Sequence, residues 1–200
     1  FGPGRRMVLG RNTFDPARWK RYRGGRAGSL WVDGSGRGRF RSLVSLPGNL
    51  AAPMWIGRRI WFLSDHDARL SDLWQVPATG GEPVRVTRSG AFNNFTTARG
   101  RPELFASVLG ATGQYEIVQV KPDGALVPIW QRSNAFPEAI LPSGDSVMIA
   151  EGVKGGVWQA RILPVTGRGD GRIVNDSGTV LSGYSRDWSL VAYQVPNGAV

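Results

Sequence analysis

Short apolar strands recur along this chain about every 43 residues, and few folds accommodate such a period. One set of runs begins at Leu30, Leu73, Ile117 and Val157, with spacings of 43, 44 and 40 residues. A second begins at Met7, Ile60, Leu104, Ser146 and Leu190, with spacings of 53, 44, 42 and 44. A third, at residues 40–46, 84–86, 126–129 and 172–174, follows the first set across Gly-rich turns. The runs are rich in β-branched and aromatic residues and are bounded by Gly, Pro, Asn and Asp. Turns such as Lys121-Pro122-Asp123-Gly124 and Pro142-Ser143-Gly144-Asp145 suit tight strand connections. No segment sustains a 3.6-residue period. A β-sandwich also has regular turns, but nothing in it calls for a repeating four-strand unit. The pattern therefore predicts an all-β fold: a β-propeller fragment with four-stranded antiparallel blades.

On this reading residues 1–200 are one partial propeller. Residues 1–48 form a partial blade, 51–88, 91–132 and 135–176 form complete blades, and 179–200 begin another. The start at Phe1 rather than Met reads as a fragment, and flanking sequence is expected to complete the ring, since an open propeller leaves exposed edges.

Composition narrows the chemistry. The chain has 200 residues, 28 Gly and 13 Pro, which fits many turns between short strands. It has no Cys, which excludes disulfides, thiolate metal sites and a thiol nucleophile. The longest uncharged stretch of the first half, residues 42–57, contains two prolines and is too short to span a bilayer. No membrane association is expected, and no signal peptide is visible in a chain that starts at Phe1. Net charge is +10 and uneven: residues 1–101 carry 18 Lys/Arg against 6 Asp/Glu, residues 102–200 carry 7 against 9. A basic half raises nucleic acid as a partner. Arg outnumbers Lys 22 to 3, which coding bias accounts for equally well, so nucleic acid is the lesser reading.

The single oversized spacing of 53 residues marks an insertion at residues 11–28. Within it Arg18, Lys20, Arg21, Arg23 and Arg26 surround Trp19 and Tyr22. Long loops on rigid scaffolds carry function disproportionately. Basic residues interleaved with aromatics stack on bases and bind phosphates, or hold a carboxylate through bidentate arginine. The plainer alternative is aromatics packed on a neighbouring blade beneath solvated charges. Arg18, Trp19, Lys20, Arg21, Tyr22, Arg23 and Arg26 are the candidate peptide-contact or subunit-contact residues.

The insertion and its flanks resemble the tricorn protease family. The likeness rests on Gly10-Arg11-Asn12-Thr13, Trp19-Lys20, Tyr22-Arg23-Gly24-Gly25 and Gly28-Ser29-Leu30-Trp31-Val32, and continues through residues 53–66. It covers residues 6–88; residues 135–176 are as similar to the TolB-type propeller repeat. The resemblance implies a cytoplasmic, homo-oligomeric serine protease. Its propellers gate or channel peptide substrates to catalytic domains elsewhere in the same polypeptide. The nucleophile and its partners lie far downstream in that family, so no catalytic residue carries over to this chain. The alternative is a TolB-like propeller serving as a protein–protein scaffold.

A direct search for chemistry agrees. Hydrolysis needs a nucleophile, a base and a group orienting the base. The one histidine, His66, lies between Asp65 and Asp67 just after a predicted strand. One His with two adjacent carboxylates makes a poor metal cage, and Asp is common in turns for its backbone hydrogen bonds. There is no Gly-x-Ser-x-Gly elbow and no phosphate-binding Gly-x-x-x-x-Gly-Lys-Ser/Thr loop. Gly34-Ser35-Gly36 and Gly178-Thr179 read as strand connections, and Gly36-Arg37-Gly38 lacks the helix an anion site requires. No cofactor and no metal are expected. Trp31, Trp61, Trp74 and Trp158 fall within predicted strands; Trp55 and Trp188 fall at blade-entry positions, where lining a channel is the alternative, but core is the favoured reading for all six.

Overall fold

Seventeen strands, and no helix, occur among the described residues of the computed structural model. Those residues are 2–13, 28–67, 71–89, 92–97, 104–131, 135–140, 145–153, 157–166, 168–175, 180–184 and 191–194. The chain divides into two compact units. The first comprises residues 1–93 and 122–125, and the second residues 94–121 and 126–200.

The first unit contains two antiparallel sheets. One has the order β1-β2-β3, from β1 (Met7–Arg11), β2 (Ser29–Asp33) and β3 (Arg41–Val44). The other has the order β4-β5-β6-β7, from β4 (Leu50–Ile56), β5 (Arg59–Ser64), β6 (Asp72–Pro77) and β7 (Val84–Arg85). Alternation explains how the sheets face each other. In β2 Leu30 and Val32 are buried and Trp31 between them is exposed. Leu30, Val32 and Leu43 of the first sheet pack into one cluster with Leu50, Ile60, Phe62, Trp74 and Val76 of the second. Trp31 was expected in the core; its one-residue offset from Leu30 turns it to the opposite face, opposite the exposed Leu9. In β5 the apolar residues Ile60-Trp61-Phe62-Leu63 run consecutively, and Phe62, Leu63 and Ser64 are buried in succession, as in a strand covered on both faces.

Turn chemistry sets the hairpins. The β4–β5 turn is Gly57-Arg58, with Gly57 at φ +59°, a left-handed value glycine adopts without a Cβ penalty. The β2–β3 connection is built on Asp33. Its Oδ1 accepts from the Ser35 amide (2.9 Å), the Ser35 hydroxyl (2.7 Å) and the Gly36 amide (3.0 Å), and its Oδ2 from the Gly38 amide (2.6 Å). Burial alone pushes this carboxyl up, but the four hydrogen bonds together hold it below the usual carboxylate value. A lowered native value means the loop's contribution is complete above about pH 4 and fades as pH falls further. Urea midpoints of wild type and Asp33→Asn should therefore differ at pH 6 and converge toward pH 3. A difference that stays constant over that range contradicts this account.

The three remaining sheets are antiparallel, β11-β10-β9-β8, β12-β13-β14-β15 and β16-β17, and all their strand residues except Phe92 and Asn93 belong to the second unit. Their strands are β8 (Phe92–Thr97), β9 (Leu104–Leu109), β10 (Tyr115–Val120), β11 (Leu126–Gln131), β12 (Ala135–Ile140), β13 (Ser146–Val153), β14 (Val157–Pro164), β15 (Arg172–Asn175), β16 (Val180–Tyr184) and β17 (Val191–Gln194). Phe105, Ile117, Val147, Ile149 and Leu163 form its core cluster. Each complete sheet is an up-and-down meander of four neighbouring strands, the form of a propeller blade. The fold is an all-β propeller type with four-stranded antiparallel blades.

Candidate functional site

The insertion leaves and rejoins the first sheet at one end. Arg11 closes β1 and pairs with Ser29, which opens β2, so the long loop is the connection of a β-hairpin. Its base is anchored to the second sheet of the same unit. The Ala52 amide donates to the Thr13 carbonyl at 3.3 Å. Gly28 lies so close to β4 that a Cβ there would sit 2.0 Å from the Leu50 carbonyl oxygen, a position only glycine fills. Asn12 and Ala52 both take left-handed backbone angles, φ +57° and +47°, at this crossing. Strain of this kind costs about 1–3 kcal/mol per residue and persists only where surrounding contacts enforce it.

The start of β4 is held from its other side by Asp65. The Asn49 amide donates to Asp65 Oδ1 at 2.7 Å, and Asn49 Nδ2 donates to Oδ2 at 3.1 Å. Asn49 and Asp65 are both buried. This carboxylate therefore fixes the strand that carries the loop base. His66 turns elsewhere: its Nε2 lies 3.4 Å from Asp67 Oδ2, and its ring is tilted against Trp74 at 5.7 Å. The Asp65-His66-Asp67 run is thus divided between two structural tasks. Among the described residues no group of three metal-ligating side chains converges.

The side chains nominated from sequence, Arg18, Trp19, Lys20, Arg21, Tyr22, Arg23 and Arg26, lie outside the described residues. Only the frame that presents them is visible. Trp188 lies outside as well, and Trp158 is within β14. Trp55 is half-buried, its Nε1 donating to the Gly57 carbonyl at 3.0 Å and its ring lying against Gly2.

Two buried ion pairs escaped the sequence. In the first unit Arg85 grips Asp72, with Nη2 at 2.5 Å and Nε at 3.2 Å from Oδ2, while the Thr87 hydroxyl donates to Oδ1 at 2.9 Å. In the second, Glu151 Oε2 accepts from Arg161 Nε (3.1 Å) and Gln159 Nε2 (2.8 Å), and the Arg161 guanidinium stands 5.7 Å from the Trp130 ring centre. Both bind strands to one another: Asp72 to β7, and Glu151 of β13 to β14. No signal local to either partner marks them, since the members lie 13 and 10 residues apart.

No family model matches the chain. Sequence similarity to characterised proteins is partial but consistent. A tricorn protease homologue of Streptomyces coelicolor, homolog 1, is 54% identical over 79 residues, covering 39% of this chain and 7% of its own length. The tricorn protease homologue of Saccharolobus solfataricus is 38% identical over 81 residues (40% and 8%). The tricorn protease of Thermoplasma acidophilum is 42% identical over 67 residues (34% and 6%). Over that part of its length the chain is tricorn-like. It spans less than a tenth of the length of the curated relatives it matches. Solved structures show the fold alone. TolB from Acinetobacter baumannii superposes with TM-score 0.67 at 14% identity, covering 97% of this chain and 48% of that one. The tricorn protease crystal structure gives 0.54 at 18% identity, covering 96% and 23%. The chain thus combines a propeller-type fold with sequence similarity to tricorn proteases over about 40% of its length. No helix among the described residues is long and apolar enough to cross a membrane.

Proposed function

We propose that this chain is a non-catalytic propeller portion of a tricorn-like serine protease, gating or channelling peptides to a protease domain outside it. The observation that carries the reading is the 54% identity over 79 residues to a tricorn protease homologue. Residues 51–88, 91–132 and 135–176 are then complete blades, and 1–48 and 179–200 parts of others. The parent is a cytoplasmic homo-oligomer acting on peptides, and this chain supplies architecture.

The insertion is the element through which such a propeller meets peptide or a neighbouring subunit. Its anchored base supports that role: Gly28 packs against Leu50 and the Thr13 carbonyl accepts from the Ala52 amide, which fixes where the insertion leaves and rejoins the sheet. Its arginines pair with carboxylates through planar forks, and its aromatics offer apolar contact area. Replacing Arg18, Lys20, Arg21 and Arg23 together with Ala in the full-length protein should lower peptide turnover about tenfold or shift the assembly to smaller species. Turnover assays and sedimentation velocity read the two effects. Wild-type values for both would remove the loop from the mechanism. An open reading frame that closes after one or two further blades would remove the protease reading itself and leave a TolB-like binding scaffold.

A further inference from the structure

The end of the first unit opposite the insertion is crowded with exposed arginines. Arg37 and Arg39 lie in the β2–β3 connection, Arg41 opens β3, and Arg58 and Arg59 form the β4–β5 hairpin tip. The register places them together. Val32 pairs with Arg41 at the end of the first sheet away from Arg11, and Arg59 pairs with Pro77, whose carbonyl accepts from the Gly80 amide. The Arg41 guanidinium lies beside Gly80, where a Cβ would approach Nη1 to 3.2 Å, so it spans from the first sheet to the turn next to Arg59. None of the five makes an ion pair with an acidic side chain among the described residues.

This arginine cluster adjoins an open sheet edge. In the order β1-β2-β3 the outer side of β3 has no strand beside it among the described residues. Arg41 opens β3 and Arg39 precedes it by two residues, and both are exposed. Charge on an edge strand repels a second copy of the same strand. The same charge attracts an extended segment whose alternate residues are carboxylates, since that spacing matches Arg39 and Arg41. We propose that the β3 edge with its arginines is a docking site for an extended acidic polypeptide segment, added as a further strand. One observation favours polypeptide over nucleic acid: an unpaired strand edge offers main-chain hydrogen bonds that only another polypeptide continues.

Fluorescence anisotropy tests this with a labelled peptide of alternating Glu and Thr. The full chain should bind it, and Arg39→Glu/Arg41→Glu should weaken binding about tenfold or more. A copy N-methylated at alternate residues should weaken similarly, because it cannot complete the strand ladder. Far-UV circular dichroism checks that the double variant keeps its sheet; if it does not, Arg39→Gln/Arg41→Gln is read in its place. Undiminished binding to the folded variant, equal binding of the N-methylated peptide, equal binding of a charge-matched oligonucleotide, or no binding by the folded wild-type chain would each overturn the proposal.

Discussion

Replacing Arg85 with Ala should cost about 3–5 kcal/mol of stability, a large part of what a domain of this size possesses. The reason lies in Asp72. Its side chain is fully buried, at 0% exposure, while that of Arg85 retains 17%. Removing the guanidinium takes away two charge-assisted hydrogen bonds from a fully buried carboxylate, whose Oδ1 accepts from the Thr87 hydroxyl. The reverse change is milder. Asp72→Asn keeps an acceptor toward Thr87, and Arg85, being partly solvated, finds water. Replacing both by apolar residues of similar volume should recover much of the loss, because the desolvation of two charges disappears with them. Urea unfolding followed by tryptophan fluorescence ranks the three variants. A loss below about 1 kcal/mol for Arg85→Ala would place the pair among exposed ion pairs of little consequence, against its burial.

That pair also shows where the sequence stops being readable. Strand positions were legible because each strand's composition and bounding turns are local. The runs at Leu30, Leu73, Ile117 and Val157 fall in β2, β6, β10 and β14, each flanked by the strands that precede and follow it in the chain. The hairpin base of the insertion was legible as a break in period. Its clamp was not: nothing near Gly28 in sequence announces that its missing Cβ makes room for the Leu50 carbonyl. The role of Asp65 was equally hidden. Beside His66 it resembles a functional group, yet it serves the backbone of Asn49, 16 residues earlier. Trp31 marks the limit of the hydrophobic pattern. A tryptophan between two buried neighbours reads as core until the sheet's second face is known to be exposed among the described residues. What the sequence hides in each case is a pairing between residues distant along the chain, which register and close approach decide.

Phe62→Ala should be as damaging as the loss of Arg85, about 3–5 kcal/mol, by a different route. Phe62 is fully buried in the cluster that joins the two sheets of the first unit, with Leu30 and Val32 from one and Ile60, Trp74 and Val76 from the other. Truncation loses the transfer energy of the ring and leaves a cavity that flanking β-strands, fixed by their ladders, fill only in part. Phe62→Leu keeps most of the volume and should cost appreciably less. The consequence extends beyond stability, because this cluster seats the sheet carrying both the insertion and the arginine edge against the sheet whose Leu50–Ala52 segment clamps the loop base. Amide hydrogen exchange should therefore accelerate across β1 and β2 in Phe62→Ala, not only at β5. Protection lost at β5 alone would mean that the loop base is held by its own contacts with β4 and does not depend on the core beneath it.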